Sequence, residues 1–163
     1  MVAGSFLIYQ TGKLQVESYY DYQPWKLRET SEKALKSDLT EITMSMMKDM
    51  VNSLDGRQAV VPLSAGNDSR LVVSLLKELN YKDVHCISYG LKGNFEAKTA
   101  QLVAERLGYK WTFVPLTIKS QKQKFSQQSY NDYLSFCDTY TNVPVTVDYS
   151  VINFIKNNKI VKK

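Results

Sequence analysis

The chain has 163 residues, 44% of them apolar and 23% charged, which is enough for one compact domain with a buried core but not for two. Its net charge of +5 does not indicate a nucleic-acid partner. Seventeen of the 21 basic residues are scattered lysines, and only four are arginines, the side chain that best grips phosphates and reads bases.

The sequence also gives no sign of a membrane or an oxidising compartment. No apolar run approaches the roughly 20 residues that a membrane helix needs, and the N-terminus lacks the basic segment of a signal peptide. The two cysteines, Cys86 and Cys137, lack the spacing of a zinc site or a redox pair. We therefore expect no membrane association and a cytoplasmic location, where both thiols stay reduced.

In chain order, the first predicted elements are a β-hairpin and a long helix. Two β-rich runs within residues 6–20 flank Thr-Gly-Lys, a tight-turn sequence. From about Thr30 to Leu54, apolar residues recur at three- and four-residue spacing, which predicts a helix that Ser31 can cap. Asp55-Gly56 is predicted to end it.

Residues 58–116 are the most regular part of the chain. The segment "QAVVPLS" predicts a strand, followed by a helix from Ser69 to Leu79, a strand "DVHCISYG", a helix from Phe95 to Leu107 and a strand "KWTFVPL". This alternation predicts an α/β fold with a parallel, doubly wound sheet and right-handed crossovers. Residues 117–135 predict a surface helix with loops, and residues 147–157 an amphipathic helix.

The turn between the first strand of this sheet and its helix carries six small or polar residues, Ser64–Ser69. In an open parallel sheet, ligands bind beyond the carboxyl ends of the strands. Small residues there allow the backbone N–H groups to approach an anion closely. Asp68 would repel a phosphate unless a cation lies between them, so the pattern indicates a nucleoside triphosphate with Mg²⁺. The alternative is an ordinary turn in which Asp68 or Ser69 caps the helix.

Other catalytic motifs are missing from the sequence. The turn has no Gly-Lys-Ser/Thr of a Walker A loop, no G-x-G-x-x-G of a dinucleotide-binding fold, and no G-x-S-x-G of a nucleophile elbow. The single histidine, His85, lies in the middle of a predicted strand, which favours a structural role over a catalytic one.

The segment "PLSAGNDSR" resembles the pyrophosphate-loop (PP-loop) motif Ser-Gly-Gly-x-Asp-Ser, and with its arginine it resembles the asparagine synthetase family in particular. The similarity extends through "HCISYGLKGNFEAKTAQLVAERLGYKWTFVPL", which resembles the second strand, adenine loop, helix and third strand of that family. The resemblance implies a Rossmann-like PP-loop fold over residues 26–163. It also implies that residues 1–25 correspond to the end of a glutaminase domain.

The resemblance further implies a chemistry and a set of site residues. Members of the family adenylate a carboxylate with ATP and Mg²⁺, release pyrophosphate, and form an amide as nitrogen displaces AMP. The nitrogen comes from ammonia or an amide donor, by way of a glutaminase domain or subunit. Asp68 would face the metal through the phosphates. The nucleotide-binding residues would be Leu63, Ser64, Ala65, Gly66, Asp68, Ser69, Ser88, Tyr89 and Gly90.

The chain departs from the family pattern in several places. Ala65 replaces a glycine, Val2 stands where the glutaminase carries its nucleophilic cysteine, and no Ser-Gly-Glu-x-x-Asp-Glu loop follows. We therefore expect a fragment of a longer ligase. Asp138 is a further candidate as an acid, a base or a substrate contact. Two alternatives stay open: a non-catalytic adenine-nucleotide-binding module, and a PP-loop enzyme of another chemistry, such as tRNA thiolation.

Overall fold

The computed structural model describes residues 3–23, 25, 30–137 and 144–161. The chain divides into two compact units, Met1–Thr40 and Glu41–Lys163. The predicted boundary between residues 25 and 26 stays a prediction, and Asp138 lies outside the described residues.

The first unit contains the predicted hairpin. Strands β1 (Ser5–Gln10) and β2 (Lys13–Ser18) pair antiparallel, with Gln10 opposite Lys13. Thr11 and Gly12 connect them with φ values of 49° and 76°. Two consecutive residues with positive φ make the tight hairpin turn whose twist matches that of the strands, so the Thr-Gly-Lys prediction is confirmed.

Helix α1 (Glu32–Leu54) follows, and its ends are where the sequence predicts them. The Ser31 hydroxyl accepts a hydrogen bond from the Ala34 N–H at 3.2 Å. At the other end, Asp55 and Gly56 adopt positive φ and turn the chain away from the helix axis. The Arg57 side chain then donates to the last free carbonyls of the helix, those of Ser53 and Leu54.

The second unit is built on a parallel sheet, so the α/β prediction is confirmed. Strands β3 (Ala59–Pro62), β4 (Val84–Gly90) and β5 (Lys110–Pro115) lie in the order β3-β4-β5. Helix α2 (Asn67–Glu78) connects the first two strands, and α3 (Phe95–Leu107) connects the last two. Helix α2 begins two residues before the predicted Ser69, because Gly66 rather than a later side chain occupies the N-cap position.

Both faces of this sheet are buried under helices. On one face, side chains of β4 pack with those of α2 and α3 in a core cluster that includes Cys86, Val73, Leu76, Ala100 and Ala104. On the other face, a smaller cluster joins the sheet to α6 (Thr146–Asn157) through Ile87, Val114 and Val151. A parallel strand covered on both sides is largely buried, and the first five residues of β4, Val84 to Ser88, are buried.

Along the chain between β5 and α6, the segment predicted as a surface helix forms two short helices, α4 (Ile118–Phe125) and α5 (Gln128–Cys137). A reciprocal pair of hydrogen bonds between Thr117 and Ser120 starts α4. The predicted amphipathic helix at residues 147–157 is α6. In the parts of the chain that the structure describes, no helix has the length and apolar character to cross a membrane.

Candidate functional site

The carboxyl ends of the three parallel strands meet at one edge of the sheet, and the chain leaves β3 there in a fixed direction. The Leu63 N–H donates to the Ile87 carbonyl at 2.8 Å, which extends the strand pairing by one residue. The Ser88 hydroxyl donates to the Leu63 carbonyl at 2.7 Å. With its side chain also buried, Leu63 gives the following turn a rigid start.

A cleft of about 240 Å³ opens at this edge. It brings together four of the nucleotide-binding residues expected from the sequence and three residues that the sequence analysis missed. The four expected residues are Leu63, Ser64, Ser88 and Tyr89, and the three others are Pro62, Glu96 and Ala97. Residues from two strand ends and one helix start therefore share a single concave surface, the usual geometry of a small-molecule site.

The loop beside the cleft is held in shape by its own hydroxyl groups. The Ser64 hydroxyl accepts from the Gly66 N–H at 3.0 Å, and the Ser69 hydroxyl accepts from the Ser64 N–H at 3.1 Å. The two hydroxyl oxygens lie 3.1 Å apart, within hydrogen-bond distance. The loop is therefore ordered before any ligand arrives, which lowers the entropy that binding must remove.

The start of α2 carries no side-chain cap. Gly66 takes the N-cap position in an extended conformation and, because it has no side chain, supplies no capping hydrogen bond to the helix. Asp68 and Ser69 are the second and third helical residues, so neither is the cap that the simple-turn alternative requires. The first N–H groups of α2, which carry the positive end of the helix dipole, point toward the loop without a capping acceptor.

The two small residues of the loop are small for different reasons. Gly66 has an ordinary φ of −68°, and a Cβ there would lie 3.1 Å from the Ser64 hydroxyl, so a larger residue would make that hydroxyl shift. Ala65 is not among the described residues with positive φ. Alanine therefore causes no backbone strain where the family pattern has glycine.

Arg70, a residue of α2, makes two hydrogen bonds that hold the junction between the loop and the helix. Its Nε donates to the Gly66 carbonyl at 3.1 Å, and Nη2 donates to the Asn67 side-chain oxygen. These two donor groups of Arg70 are therefore already used in contacts within the protein. Sequence analysis noted Arg70 only as part of the motif, because its contact partners depend on the way the helix begins.

Gly90 lies at the end of β4, next to Tyr89, but does not line the cleft. Its φ of 128° is one that side-chain-bearing residues rarely adopt, and a Cβ would lie 3.2 Å from the Asn94 amide nitrogen. The Asn94 side chain in turn accepts from the Ala97 N–H at 2.7 Å and caps α3. Gly90 therefore shapes the second turn from outside the cleft.

Glu96 is the functional candidate that sequence analysis missed. It lies in the first turn of α3 and its side chain lines the cleft. A carboxylate at this position can accept hydrogen bonds from hydroxyl or amino groups of a ligand. Its position right after β4 was a usable sequence signal, because first turns of helices after parallel strands meet at the same edge of the sheet.

The histidine and the buried cysteine have no role at this edge. The His85 Nε2 lies 2.8 Å from the Thr112 hydroxyl inside the sheet. Burial and the nearby charge of Lys110 lower the pKa of His85. Cys86 is buried in the core, and burial raises the pKa of its thiol to about 11. Both residues are held inside strand β4, as a structural role for His85 requires.

The carboxylate expected to face a metal, Asp68, is exposed in the first turn of α2. Across the residues that the structure describes, no group of three or more His, Cys, Asp and Glu side chains is placed to hold a metal ion. A cation at Asp68 would take its remaining ligands from elsewhere, such as phosphate oxygens and water.

The second unit thus combines a parallel sheet, a small-residue loop at its carboxyl edge and a helix start without a side-chain cap, the arrangement of a ligand-binding α/β domain. The sequence model of asparagine synthase matches residues 49–159, more than half of the chain, including the loop and every residue of the cleft. The chain belongs to the asparagine synthase family, whose members are ATP-using domains of ligase type. The resemblance inferred from the sequence is thus confirmed.

No curated protein matches the sequence. Among solved structures, the NH3-dependent NAD synthetase from Campylobacter jejuni subsp. jejuni NCTC 11168, in complex with the nitrate ion, is similar with a TM-score of 0.46 and 16% identity. The match covers 76% of this chain and 52% of that one, so the chain spans about half the length of this structure.

Proposed function

We propose that this chain is the ATP-binding part of an AMP-forming carbon–nitrogen ligase. In this reaction a carboxylate oxygen attacks the α-phosphorus of ATP and pyrophosphate leaves. A nitrogen nucleophile then attacks the acyl carbon, AMP leaves, and an amide remains. The observation that carries the proposal is the uncapped start of α2 beside a hydroxyl-ordered loop at the carboxyl edge of the sheet.

The phosphates would lie against the loop from Ser64 to Ser69. Backbone N–H groups at the start of α2 would donate to phosphate oxygens, with the helix dipole favouring their negative charge. A Cβ at Gly66 would lie 3.1 Å from the Ser64 hydroxyl, and its absence leaves the backbone open to the ligand. Because Ser64 and Ser69 already order the loop, its donors are aimed before charge develops on the leaving pyrophosphate.

Mg²⁺ fits this arrangement at Asp68. The carboxylate is exposed in the first turn of α2, next to the proposed phosphate position. A hard divalent cation bound there would supply charge neutralisation between carboxylate and phosphates. The residues Asp68, Ser64 and Ser69 would each hold a phosphate oxygen, directly or through the cation.

The adenosine would occupy the cleft. Leu63 and Ala97 offer apolar surface, the Ser88 hydroxyl is already oriented by the Leu63 carbonyl, and Glu96 offers a carboxylate to ligand hydroxyl or amino groups. Tyr89 completes the wall, and Gly90 sets the turn behind it. Because these contacts are to the adenosine and not to the reacting phosphorus, they would position the ATP without taking part in the chemical step.

The other components of the reaction are proposed from the family alone. The acceptor is a small carboxylate: aspartate, or the acid group of a sugar. The nitrogen arrives as ammonia or from a glutaminase domain or subunit, and Asp138 is a candidate contact to the acceptor. Two free cysteines in the described residues support a cytoplasmic location, where thiols stay reduced.

A binding module without turnover is the second candidate, because the described site residues bind and orient a nucleotide but do not include a contact for an acceptor. Sulfur transfer is disfavoured. A thiolation enzyme needs paired catalytic cysteines, whereas Cys86 is buried in the core and Cys137 is distant from it in sequence.

Calorimetric titration of the 163-residue chain with ATP and Mg²⁺ tests the proposal. We expect Mg²⁺-dependent ATP binding that Asp68→Ala weakens by about tenfold to a hundredfold, the usual cost of losing a group that supports a metal. Glu78→Ala is the matched control, since it removes a carboxylate from the far end of the same helix. If ATP does not bind to the wild-type chain, the proposal is wrong.

Exchange of labelled pyrophosphate into ATP, measured with candidate carboxylates, then separates the ligase from the binding module. Carboxylate-dependent exchange requires a reversible adenylation step and supports the ligase. ATP binding without any exchange supports the binding module.

A further inference from the structure

A second cavity, of about 280 Å³, opens beside the first turns of α3. It is lined by α3, the turn at residues 92–94 and strand β5. Ala97 lines both this cavity and the cleft, so the two spaces are neighbours at the start of α3. The proposed adenosine site is the cleft, and of the residues that line the cleft only Ala97 also lines this second cavity.

The floor of the second cavity is aromatic. Trp111 and Phe113 alternate with Thr112 along β5 and so project from the same face of the sheet. Their ring centroids lie 6.3 Å apart and their planes differ by 26°, so the two rings are nearly parallel. The small side chain of Ala97, on the facing helix, leaves space above the rings. Such a surface suits a flat ring better than a branched aliphatic group.

The indole of Trp111 is held in one orientation. Its only polar atom, Nε1, donates to the Ser88 hydroxyl at 3.0 Å. The indole therefore presents apolar and π surface to the cavity and keeps its polar atom on Ser88. A ring that is fixed in this way loses little conformational entropy when a ligand stacks on it.

The rim of the cavity is cationic. Lys92 and Lys98 line it from the turn and from α3, and both are exposed. No ion pair within the described ranges neutralises either ammonium group. The Asn94 amide is already bonded to the Ala97 N–H and the Leu91 carbonyl. The nearby carboxylate of Glu96 lines the other space, the cleft.

We propose that this cavity binds a small planar aromatic anion. Its ring would stack on Trp111 and Phe113, and its carboxylate or phosphate would lie between Lys92 and Lys98. Flatness matches the aromatic floor, negative charge matches the rim, and a cavity of about 280 Å³ has room for a one- or two-ring molecule.

The fluorescence of Trp111 reports on the site directly. The chain has two tryptophans, and Trp25→Phe removes the other one, which is exposed. The titrants are benzoate and phenyl phosphate, with cyclohexanecarboxylate as a non-planar anion and benzyl alcohol as an uncharged ring. We expect a saturable change in Trp111 fluorescence with benzoate, with phenyl phosphate or with both. Cyclohexanecarboxylate should bind at least about fivefold more weakly, and benzyl alcohol should cause no change. The better of the two anions identifies the ligand as a carboxylate or a phosphate.

Variants locate the binding. We expect the double change Lys92→Gln and Lys98→Gln to weaken it by about tenfold, and Phe113→Leu, which keeps apolar bulk but removes the ring, by about fivefold. Lys110→Gln is the matched control, because Lys110 lies on the same strand but on the face toward His85, and it should change the affinity less than twofold. Thermal unfolding of each variant verifies its fold.

Three results would overturn the proposal: no saturable change with either aromatic anion, equal affinity for cyclohexanecarboxylate, or binding that survives the double lysine change. The last result would place the probe in the cleft, which neither lysine lines. None of these results depends on ATP binding, so this proposal and the proposed function fail independently.

Discussion

Two turns leave the sheet at its carboxyl edge and occupy the same place in the topology, but only one of them caps the helix that follows. After β4, Asn94 caps α3 by accepting from the Ala97 N–H at 2.7 Å. After β3, Gly66 leaves α2 without a side-chain cap. A capped helix start is satisfied within the protein, whereas an uncapped one favours an anion from outside. The comparison therefore separates a structural turn, that of Asn94, from a proposed binding turn, that of Gly66.

The largest effect is expected when the binding turn is made to resemble the structural one. Gly66→Asp adds an acceptor and a negative charge at the N-cap of α2, and its Cβ crowds the Ser64 hydroxyl. We expect Mg²⁺-dependent ATP affinity, measured by calorimetry, to fall about a hundredfold, or about 2.7 kcal/mol. Retained affinity in a folded variant would show that the start of α2 is not the phosphate site.

The second largest effect concerns stability. Gly90→Ala places a Cβ on a residue with a φ of 128° and 3.2 Å from the Asn94 amide nitrogen. We expect the free energy of unfolding in urea to fall by about 2 kcal/mol. Gly12→Ala is the control for positive φ alone, since nothing lies within 4 Å of a Cβ there. Equal losses in both variants would mean that the contact with Asn94 adds nothing.

A third change removes the cap from the structural turn. Asn94→Ala deletes the acceptor for the Ala97 N–H, and we expect a loss of about 1 kcal/mol in the free energy of unfolding. ATP affinity should fall much less than in Gly66→Asp, because Asn94 does not line the cleft and acts on it only through the first turn of α3, which carries Glu96 and Ala97. Asn94→Asp keeps the acceptor and should restore most of the stability. A large loss of ATP affinity in Asn94→Ala would contradict the distinction between the two turns.

The smallest effect is expected at Ala65, where the chain departs from the family pattern. Because Ala65 does not adopt positive φ, Ala65→Gly should only increase the entropy of the unfolded chain and lower stability by about 0.5 kcal/mol. Thermal unfolding measures this change, and ATP affinity should be unaffected. A tenfold gain in ATP affinity would show that the bound loop needs a conformation that alanine resists.

Much of the candidate site was predictable because it is local in sequence. Six consecutive small and polar residues between an apolar strand and an apolar helix marked the loop, and the strand ends after residues 62 and 90 located the neighbouring residues. The start of α2 was predicted two residues late. Propensity favours a polar side chain as a cap, and only the loop's hydrogen bonds to Ser64 allow Gly66 to take that position.

The contacts that link separate strands were beyond prediction. Trp111 reaches Ser88 only because the crossover helix α3 returns the chain beside β4 in a particular register. The aromatic floor of the second cavity has the same origin. Alternation along β5 predicts that Trp111 and Phe113 share a face, but not that the alanine-bearing side of α3 leaves space above them.

The sequence by itself determined which residues form strands and helices, where the phosphate-type loop lies, and the family to which the chain belongs. Those properties depend on periodicity and on short runs of residues, which act through near-neighbour sterics and burial. Tertiary structure alone decided which side chains share a cavity, that α2 begins uncapped while α3 is capped, and that Ser88 joins the cleft to Trp111. These depend on the packing of elements that are distant in sequence, and their register is set by the buried contacts across the whole sheet.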